Sequence, residues 1–289
     1  MQSSFLTTVF LPLALFIIML GMGLGLTLND FKRVFVEPKA VFLGLIAQLI
    51  VLPLTGFLLA MVFPLSPELA VGVMILAACP GGPTSNMMTY LVKGNVALSI
   101  TLTAMSSLIT VFTIPLVVNL AMQNFMGEAV ALQLPFVKTV IQIAVVTFIP
   151  VTIGMLLHNY TPQVAAKVEK LVKWFSLFFL GLIIAGLLFK ERDNVLGFFF
   201  EVGGVTLTLN LLTMALGYTI AILAKLDSLS AKAITVEVGI QNGTLAIAVA
   251  TTLLNSPDMA IPAAIYSLIM FVTCGAFIGI SNGLFIKSN

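Results

Sequence analysis

The sequence predicts an all-α polytopic membrane protein with nine transmembrane helices, and three observations carry that prediction. Hydrophobic residues make up 60% of the chain and charged residues 8%, against roughly 45–50% and about 25% in soluble domains. The apolar runs are continuous and long enough for helices across a hydrocarbon core about 30 Å thick, which takes roughly 20 residues each. Lys and Arg fall mostly in alternate loops. A β-barrel needs short segments that alternate apolar and polar, so the continuous runs exclude it.

Taken in order, the runs between charged or Pro/Asn-rich breaks place spans near 6–28, 40–63, 69–92, 95–121, 136–157, 171–189, 197–224, 232–254 and 260–285. The first is read as a span rather than a cleaved signal peptide, because the run from Phe5 to Leu28 is too long and no small-residue cleavage site follows it. Alternating the loops gives one side Lys32, Arg33, Lys39, Lys93, Lys167, Lys170, Lys173, Lys225, Lys232 and Lys287, and the other Lys138, Lys190 and Arg192. By the positive-inside rule the N-terminus is outside and the C-terminus cytoplasmic. An odd number of spans agrees, and the inner (plasma) membrane of a bacterium is the expected location.

The third and eighth spans are poor ordinary helices. One carries Cys79-Pro80-Gly81-Gly82-Pro83-Thr84-Ser85-Asn86, the other Glu237-Val238-Gly239-Ile240-Gln241-Asn242-Gly243-Thr244. Helix breakers and polar groups at membrane depth are tolerated only where protein or a water-filled cavity covers them. Broken spans at corresponding places in two halves point to inverted repeats and a midplane binding site. Spans five to nine would form one five-helix repeat, and spans one to four a repeat lacking its first helix. The two discontinuous helices would then cross at the midplane.

Glu237 is the one acidic residue placed well inside a span, and an intramembrane carboxylate costs about 2.5–3.5 kcal/mol or more to insert, so a functional role is expected. Side-chain oxygens of Ser85, Asn86, Gln241, Asn242 and Gln48, with carbonyls freed by unwinding, are its candidate neighbours. One carboxylate among neutral oxygens suits sodium or a proton better than calcium or magnesium. The half-helix N-termini, where Pro83, Thr84, Asn242 and Gly243 lie, offer N–H groups and positive dipole ends to a substrate carboxylate. On span four, Ser99, Thr103, Ser106, Ser107 and Thr110 include a stripe at helical spacing, for which helix packing is the plainer reading.

Other features bound the function. Cys79 and Cys274 lie in different apolar runs without metal-ligand spacing, which indicates neither a disulfide framework nor a zinc site. A net charge of +2 without a dense basic run gives no case for nucleic acid. Gly21, Gly23 and Gly25 lack the strand-loop-helix setting of a nucleotide loop and are expected to let helices approach closely. His158 is read as an end-of-helix residue without a catalytic role, and Tyr160, Trp174 and Tyr218 as interfacial anchors. No metal-binding helix, serine with a base or pair of acids suggests an enzyme. The partners expected are a small organic anion and the lipid bilayer, with no obligatory protein partner.

Cys79-Pro80-Gly81-Gly82 through Ser85-Asn86 to Lys93-Gly94-Asn95-Val96-Ala97-Leu98-Ser99, together with Glu237-Val238-Gly239-Ile240-Gln241-Asn242, resemble the bile acid:sodium symporter family. Ala47-Gln48 ahead of Pro53 and the Gly-Met-Gly run closing span one are similar to its pattern too. The resemblance covers nearly the whole chain. It implies one sodium ion held by Ser85, Asn86, Ser99, Thr103 and Glu237, and a second held by Gln48, Glu237, Gln241 and the carbonyls of Val238 and Ile240. It also implies a single transporter domain over 1–289 with a core (40–121 and 197–285) and a panel (6–28 and 136–189), the substrate lying between them. Relative to ten-helix members the first helix is absent.

The implied activity is sodium-coupled import of a small organic anion by alternating access. Two sodium ions against one Glu237 leave a positive site that a monoanion neutralises. The alternative is a sodium/proton exchanger or a proton-linked organic anion carrier using Glu237, although exchangers usually add a second carboxylate or a lysine. Two departures bear on the substrate. Many members read Gly-Gly-Thr-Ala-Ser-Asn where this chain has Gly82-Pro83-Thr84-Ser85-Asn86, and Met270-Phe271 stands where some bacterial members carry His-Asn. Both favour a small carboxylate such as pantoate or a 2-keto acid over a bile acid.

Overall fold

The computed structural model describes residues 11–127, 136–190 and 195–283, and its regular elements there are all helices. In chain order they are α1 (Leu11–Leu24), α2 (Leu28–Val36), α3 (Pro38–Ile46), α4 (Leu52–Val62), α5 (Pro67–Ala78), α6 (Pro83–Leu91), α7 (Val96–Met126), α8 (Phe136–Tyr160), α9 (Pro162–Lys190), α10 (Val195–Leu223), α11 (Ser228–Gly239), α12 (Gly243–Ala248) and α13 (Ile261–Ser281). A π-helical turn, Ala47–Val51, joins α3 to α4, and another, Val249–Leu253, extends α12. Residues 6–10 of the first predicted span, 284–285 of the ninth, and the loop charges Arg192 and Lys287 lie outside the described residues.

Helical segments occupy the described part of every predicted span. By length and composition, five helices among the described residues can cross a bilayer: Pro38–Val62, Val96–Met126, Phe136–Tyr160, Gly197–Leu223 and Asp258–Ser281. The pair Pro12–Leu24 and Leu28–Val36 makes up to six if counted as one span. Their outer faces carry apolar residues one turn apart, such as Leu54 and Leu58 on α4, Phe112, Leu116 and Leu120 on α7, and Ile141, Val145 and Ile149 on α8, all exposed. An apolar surface this extensive is stable only against lipid.

The first span differs from its prediction. The helix stops at Leu24 rather than Leu28, and the chain bends by 62° into α2, which occupies residues read as a charged loop. Thr27 N-caps α2, and its backbone N–H and hydroxyl both lie 2.7 Å from Asp30 Oδ2, so local capping rather than hydropathy sets this boundary. The close packing expected of the glycine stretch is present. Any side chain at Gly23 would strike the backbone of Val151, and any at Gly154 the backbone of Leu20 to Leu24, so α1 and α8 touch main chain to main chain.

The two interrupted spans lie innermost. Every residue from Leu69 to Ala78 in α5 is buried, and so is nearly all of α11 from Ser230 to Gly239. Neither shows an amphipathic face, which fits helices surrounded by protein. That surrounding is what lets their backbones break.

Candidate functional site

Two prolines end α5 and start α6. Pro80 pushes Cys79 into an extended conformation (φ −74°, ψ 155°), which stops the helix, and Pro83 takes the first turn of α6, where its missing N–H is not needed. In the other broken span Ile240 is extended (φ −109°, ψ 100°) and Asn242 caps α12 through Leu245 N–H at 3.0 Å. The two breaks meet. Gly81 and Gln241 form an antiparallel β-bridge, and Asn242 N–H donates to the Pro80 carbonyl at 3.0 Å. Backbone groups that unwinding leaves without helical partners thus satisfy each other across the crossing.

Glu237, in the last turns of α11, is fully buried and directed at this junction. Its Oε1 accepts from the Thr103 hydroxyl at 2.6 Å, and its Oε2 from Ser85 at 2.8 Å and Ser99 at 3.0 Å. Asn86 Oδ1 lies 2.9 Å from Ser99 Oγ and 3.3 Å from Thr103 Oγ1. Ser85, Asn86, Ser99, Thr103 and Glu237 therefore share one hydrogen-bonded cluster, as the resemblance implies. A methyl group at Gly81 would overlap the Glu237 carboxylate, which explains a glycine there. Among the described residues no ion pair involves Glu237, and the partners of its carboxylate are the hydroxyls of Ser85, Ser99 and Thr103.

The second predicted set is joined in part. Gln48, held in the π-turn ahead of Pro53, donates to Gln241 Oε1 at 2.8 Å and to the Cys79 carbonyl at 3.1 Å. Gln241 Nε2 donates in turn to the Val238 carbonyl at 2.8 Å. The Glu237 carboxylate makes its bonds in the first cluster, and the contact from Gln241 Nε2 to Glu237 reaches its backbone carbonyl, at 3.4 Å. Among the described residues no hydrogen bond brings the Ile240 carbonyl into this set.

Of the serine and threonine stripe on α7, Ser99 and Thr103 serve the cluster, whereas Ser106 and Thr110 bond carbonyls of their own helix. Neither of these two hydroxyls has a hydrogen bond to Glu237 among the described residues. Ser107 faces the Met22 sulfur at 3.9 Å.

A cavity of about 280 Å³ opens beside the cluster, lined by Pro83, Asn86, Met87 and Tyr90 of α6, Gly21 and Met22 of α1, Gly25 and Leu26 just beyond it, Val96 and Ile100 of α7, and Glu169 of α9. Of the four residues expected to meet substrate, Pro83 lines it; Thr84, Asn242 and Gly243 do not. Asn242 Nδ2 is buried without a hydrogen-bond partner, and any side chain at Gly243 would strike the Ser267 hydroxyl. A second, apolar cavity of about 260 Å³ lies at the other end of α1, between Pro12, Leu15, α8 and α12.

Several residues escaped the sequence reading. Asn210 of α10 and Tyr266 of α13 both contact the Gly239 carbonyl beside the break, and Thr89 donates to Ser99 at 3.2 Å. Asn210 is the one amide in its span, which was the signal available. His158 Nδ1 lies 2.6 Å from the Leu24 carbonyl and so caps the end of α1.

Lipid-facing helices around two broken ones, with a lone carboxylate at their meeting point and cavities on either side, define a secondary transporter rather than an enzyme. The family follows from comparison with known proteins. A family model described as the sodium bile acid symporter family matches residues 12–198, and the chain belongs to that family. It is 34% identical over 259 residues to the "Uncharacterized sodium-dependent transporter YocS" of Bacillus subtilis (strain 168), covering 90% of this chain and 78% of that one. It is 32% identical to the "Probable sodium/metabolite cotransporter BASS1, chloroplastic" of Oryza sativa subsp. japonica, over 92% of this chain and 64% of the relative. To the ileal sodium/bile acid cotransporter of Oryctolagus cuniculus it is 27% identical, over 93% and 78% of the two chains. The chain thus spans less than two thirds of the chloroplast relative.

Proposed function

We propose that the chain is a sodium-coupled symporter that imports a small organic anion by alternating access. The observation that carries this reading is the convergence of Ser85, Ser99 and Thr103 hydroxyls and the Asn86 amide oxygen on the buried Glu237, which has no ion-pair partner among the described residues. Two carboxylate oxygens, three hydroxyls and an amide oxygen form a hard-oxygen set carrying one negative charge. Rotating the hydroxyl protons outward turns their lone pairs to a sodium ion without moving a helix. Gln48, Gln241 and the Val238 carbonyl supply the second set, completed by Glu237 and Ile240 after a small shift of the break.

Substrate enters in the same account between a core (40–121 and 197–285) and a panel (6–28 and 136–189), in nine spans arranged as inverted repeats. Cavities at both ends of α1 support two access routes, and in this account the one beside Asn86, lined by Tyr90 and Val96 on either flank of Lys93, faces the cytoplasm. The cavity of about 280 Å³ offers room for a small carboxylate such as pantoate or a 2-keto acid. Pro83 lines that cavity, whereas Thr84, Gly243 and the unpartnered Asn242 Nδ2 lie outside its lining and would meet the carboxylate only in another state of the transport cycle.

The test is the melting temperature of the purified protein in sodium against choline at equal ionic strength, with a panel of pantoate, keto acids and bile salts. A ligand at 100 times its Kd stabilises by about 2.7 kcal/mol. The expected result is a rise with sodium and a further rise with one small acid only when sodium is present. A melt that ignores sodium but follows pH would replace this reading with proton-linked transport.

A further inference from the structure

We propose that Asn210 and Tyr266 are positioning residues for the cation set beside Gln48 and Gln241, acting by holding the Gly239 carbonyl away from it. The proposal rests on the sodium reading above and adds two residues outside the predicted ligand sets. Asn210 Nδ2 donates to the Gly239 carbonyl at 2.8 Å and to the Tyr266 hydroxyl oxygen at 3.0 Å, and that hydroxyl donates to the same carbonyl at 3.0 Å. All three bonds lie in the interior, with Asn210 and Tyr266 fully buried.

The geometry selects which carbonyls are left for an ion. Gly239 is the last helical residue of α11, and Ile240 beyond it is extended. Successive carbonyls of extended chain point to opposite sides. Fixing the Gly239 carbonyl toward α10 and α13 turns the next carbonyl, that of Ile240, toward the opposite side. The preceding carbonyl, Val238, is already held by Gln241 at 2.8 Å. Of the orphan carbonyls at this helix end, Gly239 is the one withdrawn. The position itself is tightly packed, since any side chain at Gly239 would strike Met214.

Asn210 also has a feature that stability alone does not explain. The Gly239 carbonyl demands a donor, so the amide must present Nδ2 there, and Asn210 Oδ1 is left buried without a partner. An orphaned acceptor destabilises the fold, and an apolar residue would remove it. The amide is therefore kept at a cost, which fits a role in shaping the break.

The experiment is a sodium titration of the melting temperature, in detergent at constant ionic strength with choline replacing sodium, for the wild type, Tyr266→Phe and Asn210→Ala. Each variant removes one donor to Gly239, and Tyr266→Phe leaves the ring in place. The expected result is a rise of about fivefold or more in the sodium midpoint, on top of the lower melting temperature in choline that the lost buried bonds cause. Unchanged midpoints in both variants, with lower melting in choline, would overturn the proposal and leave a purely structural pair. A wild type indifferent to sodium would instead overturn the sodium reading, and the positioning role with it.

Discussion

The Thr103 hydroxyl meets Glu237 Oε1 at 2.6 Å across 134 positions of sequence, and this contact ties α7 to the broken helix that ends in α11. It is the shortest of the three hydroxyl bonds to the carboxylate, and the account makes it part of an ion site. Thr103→Val removes the donor while keeping the shape. It is expected to destabilise by about 1–3 kcal/mol and to weaken the sodium response, whereas Thr103→Ser restores both. A sodium titration of melting for the two variants checks this.

Glu237→Gln separates charge from hydrogen bonding. The amide oxygen still accepts from Ser85, Ser99 or Thr103, so the melting temperature in choline should stay near that of the wild type, while the response to sodium disappears. Retained sodium stabilisation in this variant contradicts the assigned role of the carboxylate.

Gly81→Ala places a methyl group inside the space of the Glu237 carboxylate. Overpacking of this kind costs typically about 1–3 kcal/mol, and here the group displaced is the ion ligand itself. The expected outcome is lower stability together with a raised sodium midpoint, read in the same melting assay. Gly127→Ala is the control, since nothing among the described residues lies within 4 Å of a side chain there, although its φ of 79° adds local strain.

Asp227 caps α11 from outside the apolar run, accepting from Leu229 N–H at 2.9 Å and Ser230 N–H at 3.0 Å. The Ser230 hydroxyl first, then the Ser230 N–H, hold its carboxyl below the usual carboxylate range, with burial opposing them. A depressed folded value means that the stability is full above the ordinary range near 3.9 and is lost as pH falls through the lowered value. Asp227→Ala should cost about 1 kcal/mol at neutral pH, and the gap from wild type should narrow in acid. Thermal melts at pH 7 and in the acid range measure it.

Hydropathy made the apolar segments legible, because a lipid-facing helix must be apolar along its length, as Leu54, Leu58 and Phe112 illustrate. Pro80, Pro83 and the Gly81-Gly82 pair made the first break legible for the same local reason: no helix continues through them. Ser85 and Asn86 follow as neighbours of Glu237 from the two broken spans, whereas Ser99 and Thr103 join them only through the resemblance. Nothing in a one-dimensional pattern brings Thr103 to that carboxylate. What stayed hidden depends on geometry that propensity does not encode. The bend after Leu24 comes from capping by Thr27 and Asp30, and the π-turn that presents Gln48 comes from a local widening of the helix ahead of Pro53. Asn210 and Tyr266 share a partner that is a backbone carbonyl, and only the folded chain places it between them.

The most direct test of the central claim is uptake into proteoliposomes under an imposed inward sodium gradient, using a labelled small acid chosen from the melting panel, for the wild type and Glu237→Gln. The account predicts accumulation above the external concentration only with the sodium gradient, collapse when choline replaces sodium, and none in Glu237→Gln. Accumulation driven equally by a proton gradient in choline, or unchanged in Glu237→Gln, would contradict it.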